Sequence, residues 1–383
     1  MMKQVFSLSL LLILVVSFGG CRKQKTDVLY ERSYLDEIKA ARKDAIFYMT
    51  RNVVPGATFA IAKDGEVIYS EGMGLASTDL EVPVKRSTKF RIGEVSELFT
   101  SLIYQKMIES QLLHPDSTVQ FYLTDFPEKQ WRLPLHHLAY HTSGIRIPSS
   151  EEADWRAQNV SLQTGLETFT KDSLLYPPGI YQVPSMFNYN LLGAVMEKVT
   201  GENFNSILAK YVTDTLGLEN TVVDNPFMTI TGRANHFDHN FIAQVVPATF
   251  RDLRYRAPAQ GILSNAEDLV KFGNALLHSG YFTEKIKERL FEPFILPNGL
   301  PAPMAHGWLV MEDRYGRKMY GKSGSVTGGS AALLIYPEEK IVVACASNLS
   351  LITEDFPLFA MAGHFLDDPE QNENGQPDTE QGN

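Results

Sequence analysis

Two carboxylates three residues apart, Glu94 and Glu97 in the run Ile92-Gly93-Glu94-Val95-Ser96-Glu97-Leu98-Phe99, stand where a helix begins. At i and i+3 they share one helix face, with Cβ atoms about 5 to 6 Å apart. Carboxylates that close push one pKa up, and a nearby base pulls it down. Such a pair can activate water as a general base or hold a cationic group. A helix end without chemistry fits as well, because the helix dipole stabilises an acid at the position of Glu94 by about 0.3 to 1 kcal/mol. Ser96 lies roughly 200° around the helix from Glu94 and should point away from that face. Phe99, not an amine, follows it three residues later, so nothing activates its hydroxyl. A second run, Tyr320-Gly321-Lys322-Ser323-Gly324-Ser325, supplies an amine and two hydroxyls. His236-Phe237-Asp238-His239 places two histidines at i and i+3, but among loop residues and without a fourth ligand. No metal and no cofactor is expected.

These runs belong to an ordered series of segments. Ala57 to Tyr69 reads as two apolar strands around an Asp64-Gly65 turn. Leu135-His136-His137-Leu138-Ala139-Tyr140-His141-Thr142-Ser143-Gly144-Ile145 follows, then Pro177-Pro178-Gly179, Asn188-Tyr189-Asn190-Leu191-Leu192-Gly193 and Ala259-Gln260-Gly261-Ile262-Leu263-Ser264-Asn265-Ala266-Glu267-Asp268-Leu269. In content and order the series resembles the serine β-lactamase-like family of class C β-lactamases, penicillin-binding proteins and related esterases, from about Val54 to about Asn348.

The resemblance assigns three catalytic motifs. The Ser-x-x-Lys pair that opens a helix falls on Glu94 and Glu97. The Tyr-x-Asn motif, five residues past the Pro-Gly, falls on Pro184, Ser185 and Met186, where neither end can transfer a proton or donate a strong hydrogen bond. Tyr181 lies too early to replace it, and Tyr189 already fills the family's Asn-Tyr position. The Lys-Thr-Gly motif survives as Lys322-Ser323-Gly324, which places Lys322 opposite the glutamates. The resemblance also implies an oxyanion hole from the backbone amides of Glu94 and Ser325, which no side-chain replacement removes. The pocket is then lined by Glu94, Glu97, Ser185, Lys322, Ser323, Gly324 and Ser325, and Glu94 is expected to pair with Lys322 across it. His137 and His141 match positions that are not catalytic in the family.

The elements that must position these residues follow from pattern and from the resemblance. The fold implied is α/β (α+β), a β-lactamase/transpeptidase-like antiparallel sheet flanked by helices, with an inserted, mainly helical region. Leu35 to Arg51 should be the first helix, 57 to 92 the first strands, 94 to about 280 mostly helical, and Pro357 to Leu366 the last helix. The runs Ala331 to Pro337 and Lys340 to Asn348 are apolar enough for central strands. With 383 residues, 44% apolar, and no repeat or linker within 36 to 366, one sizeable domain is expected. Residues 367 to 383 carry six acids, no base and no aromatic or aliphatic side chain, the composition of a disordered tail.

The N-terminus indicates a compartment. Lys3 precedes an apolar run, Val5 to Phe18, shorter than the roughly 20 residues that span a bilayer. It ends in Ser17-Phe18-Gly19-Gly20-Cys21, which resembles a bacterial lipoprotein signal. Residues 1 to 20 then form the signal, Cys21 is lipidated, and 21 to 35 form a tether. Removing Lys3 takes the formal charge from −10 to −11. That acidity excludes nucleic acid as a partner, although Arg22, Lys23 and Lys25 can meet anionic headgroups. Cys345, in an apolar run, is a core residue without a disulfide partner. Together these features describe an envelope lipoprotein that has lost acyl-enzyme chemistry and keeps a groove for a small molecule, a peptidoglycan-like peptide or an envelope protein. The alternative is a hydrolase using Glu94 or Glu97 with Lys322.

Overall fold

The structure, a computed structural model, describes residues 27–153, 160–350 and 356–367. The expected signal, Cys21 and all but the first residue of the acidic tail lie outside them. The expected 21 to 35 tether is corrected: Val28–Tyr30 pairs with Tyr69 to Glu71 and so belongs to the domain. Three strands set the architecture: β2 (Gly56–Lys63), β7 (Gly329–Tyr336) and β8 (Ile341–Ser347). Their residues are apolar on both sides of the pleat and feed two cores. Ala60, Ala62, Leu333, Ile335, Val342 and Ala344 face one. Phe59, Ile61, Leu334, Val343 and Cys345 face the other. A strand covered on both faces loses the apolar-polar alternation of a half-exposed one, which is why these runs look continuous. Helix α4 (Ala266–His278) covers the first face. Helices α1 (Leu35–Arg51) and α5 (Leu358–Gly363) cover the second.

The main sheet is antiparallel and runs β1 (Val28–Tyr30), β3 (Glu66–Ser77), β2, β8, β7, β6 (Lys318–Val326), β5 (Trp308–Glu312), β4 (Met304–Ala305). The short strand Val82–Pro83 pairs with the end of β3. Strands from the two chain ends therefore meet at the centre, with Ala60 opposite Ala344. The β2–β3 connection is the expected Asp-Gly turn: Asp64 and Gly65 both have positive φ, 50° and 94°, which matches the right-handed strand twist.

The inserted region is built around α2 (Ser96–Glu109), buried on nearly every side and packed on α3 (Met186–Thr200). The expectation of a mostly helical 94 to 280 holds only in part. Between Gly217 and Asn265 the chain forms short strands and loops, with one brief helix at Ala257–Gln260 and a single 3₁₀ turn before it. Pro226 and Pro247 interrupt this stretch, and proline is poorly tolerated inside a helix, whereas Pro258 sits in the first turn of the brief helix, where it is accepted. Helix α4 then begins with Asn265 Oδ1 accepting from the Asp268 amide at 2.8 Å as its cap.

Candidate functional site

Two glycines bring the start of α2 onto β6. A Cβ on Gly324 would lie 2.4 Å from the Glu94 nitrogen, and one on Gly93 2.5 Å from the Ser325 nitrogen. Gly93 also has φ of 53°, which a side chain tolerates poorly. The 3₁₀ turn Gly93–Val95 and the strand thus touch backbone to backbone. This contact keeps the amides of Glu94 and Ser325 together, as the resemblance implies, and it does not depend on what side chain residue 94 carries.

Here the side chain of residue 94 fills the position those amides address. Glu94 Oε2 accepts from the Ser325 amide at 2.8 Å, and the Glu94 amide also hydrogen-bonds the carboxylate. Gln260 Nε2 donates to Oε1 at 2.5 Å. Burial pushes the Glu94 pKa up, and the charge of Glu97 adds to it. The two amides and Lys322 pull the other way without cancelling the rise.

Glu97 meets a different set of partners. Its Oε2 accepts from Lys322 Nζ at 2.6 Å and lies 3.4 Å from His141 Nε2, with the Glu97 and Lys322 side chains only 3% and 7% exposed. Burial pushes its pKa up, but Lys322 and His141 together outweigh burial and hold it below the usual carboxylate range. The His141 tautomer follows from its other nitrogen. Nδ1 accepts from the Ser185 amide at 3.3 Å and faces Asn188 Nδ2 at 3.0 Å, so the ring proton sits on Nε2 and points at Glu97. Ser143 Oγ fixes Asn188 in turn by donating to its Oδ1 at 2.6 Å.

The expected pair between Glu94 and Lys322 is therefore not formed, since Lys322 pairs with Glu97. Lys322 lies three residues before Ser325, about 10 Å back along the strand. The amine reaches the carboxylate one helical turn deeper, while the Ser325 amide meets Glu94.

The second motif is structural where the structure describes it. Ser185 caps α3: its hydroxyl donates to the Arg146 carbonyl at 2.8 Å and accepts from the Phe187 amide at 3.4 Å. That hydroxyl, read from the sequence as a pocket group, is committed to main chain. Pro184 is exposed, and Met186 Sδ lies 3.6 Å from a buried Arg256 nitrogen. Ser323 is half-buried, and Tyr181 packs edge-on against Tyr176 at the surface. Ser96 points away from the groove and accepts from the Ile262 amide. Two participants were missed in the sequence. His141 lies in the His-Thr-Ser-Gly segment at a position that the resemblance marks as not catalytic, and Gln260 lies inside the Ala259 to Leu269 segment. His236 is half-buried, with its Nδ1 facing the Gly328 carbonyl at 3.1 Å, and desolvation pushes its pKa down to about 3. Among the described residues no group of three or more His, Cys, Asp or Glu could hold a metal.

The Beta-lactamase family model matches residues 41–358. The chain belongs to the beta-lactamase family. It is similar to the mouse serine beta-lactamase-like protein LACTB, mitochondrial, at 26% identity over 386 residues, covering 74% of this chain and 70% of that protein. Penicillin-binding protein 4* of Bacillus subtilis (strain 168) is 22% identical over 326 residues, covering 81% and 72%. Among solved structures, the hydrolase EstCE1 superimposes with a TM-score of 0.75 at 20% identity, covering 88% of this chain and all of that one. FmtA from Staphylococcus aureus gives 0.73 at 20% identity, covering 88% of each chain. At such identities the solved structures show the shared fold. As a member of the beta-lactamase family, this chain keeps the paired amides and the third-motif lysine, and has glutamates where the resemblance places the serine and its lysine.

Proposed function

We propose that this beta-lactamase family member is a noncatalytic binding protein of the bacterial envelope, lipid-anchored through Cys21. One observation carries the loss of catalysis: the Glu94 carboxylate rests on the Ser325 amide, where an acyl-enzyme would place its oxyanion. Neither a hydroxyl at residue 94 nor an amine at residue 97 is present to acylate or deacylate, and Pro184 offers no base. The paired amides are already occupied by the protein's own carboxylate. The site favours a ligand that brings hydrogen-bond donors, such as the free amino end of a peptidoglycan-like peptide, over a carboxylate.

The rival reading, hydrolysis through Glu94 or Glu97 with Lys322, needs a carboxylate free to take a proton from water. Lys322 and His141 hold Glu97, and Ser325 and Gln260 hold Glu94, which disfavours it. Intact-mass measurement after incubation with penicillin or a fluorophosphonate tests the proposal. The expected result is no adduct, and restoring only Glu94→Ser with Glu97→Lys should still give none. Stoichiometric acylation of any serine in the native chain would overturn it, and ester turnover abolished by Glu94→Gln would establish the rival.

A further inference from the structure

We propose that the face formed by α1 and the hairpin Phe237–Pro247 docks onto the bilayer that holds the N-terminal anchor. The choice of occupant rests on the reading of Cys21 as lipidated. A groove of about 860 Å³ runs between α1 and β3, with Ile46, Met49, Val53, Glu71 and Val245 in its walls. Its rim is apolar and exposed. Ile46, Phe47 (65% exposed) and Val53 lie on or just after α1, and Phe241 (98% exposed) and Ile242 form the tip of the hairpin that carries Val245. Single exposed apolar residues are ordinary, but a rim of large ones around a groove marks an interaction surface.

Charge and chain length identify what this surface meets. Lys43, Phe47 and Arg51 follow one another at i, i+4 and i+8, so an exposed aromatic is flanked by a base one turn to either side. This occurs in a chain whose formal charge is −10. An aromatic entering the interface between bases that meet anionic headgroups is the arrangement of a membrane-surface helix. The chain also enters the domain beside the groove, because Val28 pairs with Glu71, one of its lining residues. Only five residues, 22 to 26, separate Cys21 from Asp27, a reach of at most about 20 Å. A domain of this size has a radius of gyration of about 20 Å, so a tether no longer than that keeps the face beside the attachment point turned toward the membrane. The face nearest the attachment point is the one that makes contact.

The test uses the chain from Cys21 onward, which contains every described residue. Its Cys21 thiol is coupled to a maleimide lipid in vesicles of phosphatidylethanolamine and phosphatidylglycerol. Cys345, the other cysteine, is buried in β8, so coupling is selective. Phe47→Trp is compared with Phe121→Trp, a control 71% exposed in the short helix Val119–Tyr122 of the inserted region. Brominated lipids should quench the added emission at position 47 and leave that at position 121 unchanged, and Lys43→Glu with Arg51→Glu should abolish the quenching. Equal responses at both positions, or no quenching at 47, would overturn the proposal. So would concentration-dependent dimers that bury position 47 without lipid contact, which would make a second copy the occupant. Because the tether is chemical, this outcome is independent of cell fractionation of Cys21→Ala, whose unchanged membrane association would refute lipidation alone.

Discussion

Glu94 and Glu97 sit one helical turn apart at the start of α2, yet their surroundings treat a negative charge in opposite ways. Glu97 is met by a full cation and an imidazole N–H, which outweigh the burial of its carboxylate. Glu94 is met at bonding distance by neutral donors only, two backbone amides and a carboxamide, and burial wins. Proximity to Lys322 is not enough; the carboxylate that receives the direct 2.6 Å contact gains the stabilisation. The same comparison separates structural from positional roles. Glu97 ties the inserted region to the sheet, bridging α2, β6 and the loop carrying His141. Glu94 fills a small anion site and bridges two backbone segments already held by their glycines.

Removing the better-paired carboxylate should have the larger effect. Glu97→Ala leaves the Lys322 ammonium buried without its partner, and breaking such a pair costs about 3 to 5 kcal/mol. Urea denaturation should show this loss, with much of it recovered when Lys322→Met is added. A loss no larger for Glu97→Ala than for Glu94→Ala would break the comparison.

The pH dependence of stability sharpens it. Glu97 has a depressed folded pKa, so its contribution is present above the ordinary carboxylate pKa and lost as pH falls through the folded value. Glu94 has a raised folded pKa, so its contribution is complete below the ordinary value and lost as pH rises through the folded one. Denaturation midpoints across pH 3 to 8 (about that span, set by the carboxylate range) should therefore diverge in opposite senses. As pH rises, Glu97→Gln should fall behind the native chain, while Glu94→Gln should gain on it. Parallel profiles would show that the two sites are electrostatically alike.

The smallest expected effect is on ligand binding. Glu94→Ala uncovers the two amides and removes one acid from the groove, so calorimetry with an acyl-D-Ala-D-Ala peptide should detect carboxylate binding that the native chain lacks. The gain should be about 1.5 to 3 kcal/mol at most, the worth of hydrogen bonds to a charged group. Equal binding by both proteins would mean that Glu94 does not gate the groove.

Much of the architecture was legible in the residues. The β7 and β8 runs are apolar enough to be read as central strands, Asp64-Gly65 announces its turn, and Leu35 to Arg51 forms a helix with the bounds read from the sequence. The stretch from Gly217 to Asn265 was misjudged because the resemblance supplied helices that its prolines and short apolar runs do not form. At the site, the replacement of the serine, lysine and tyrosine was visible at once, since a side chain's capacity for proton transfer is a property of the residue itself.

Which partner each replacement would find was not visible. The Glu94–Ser325 contact spans 231 residues and the Glu97–Lys322 contact 225. Both are set by the depth at which α2 lies on β6, which the apposed Gly93 and Gly324 backbones fix. Residue types alone determined that this chain carries a beta-lactamase fold with glutamates at the serine and lysine positions. Packing at the scale of an ångström decided that one glutamate would bind the lysine and the other the paired amides, because a buried charge answers to the donors within hydrogen-bond reach and not to the charges nearby in the sequence.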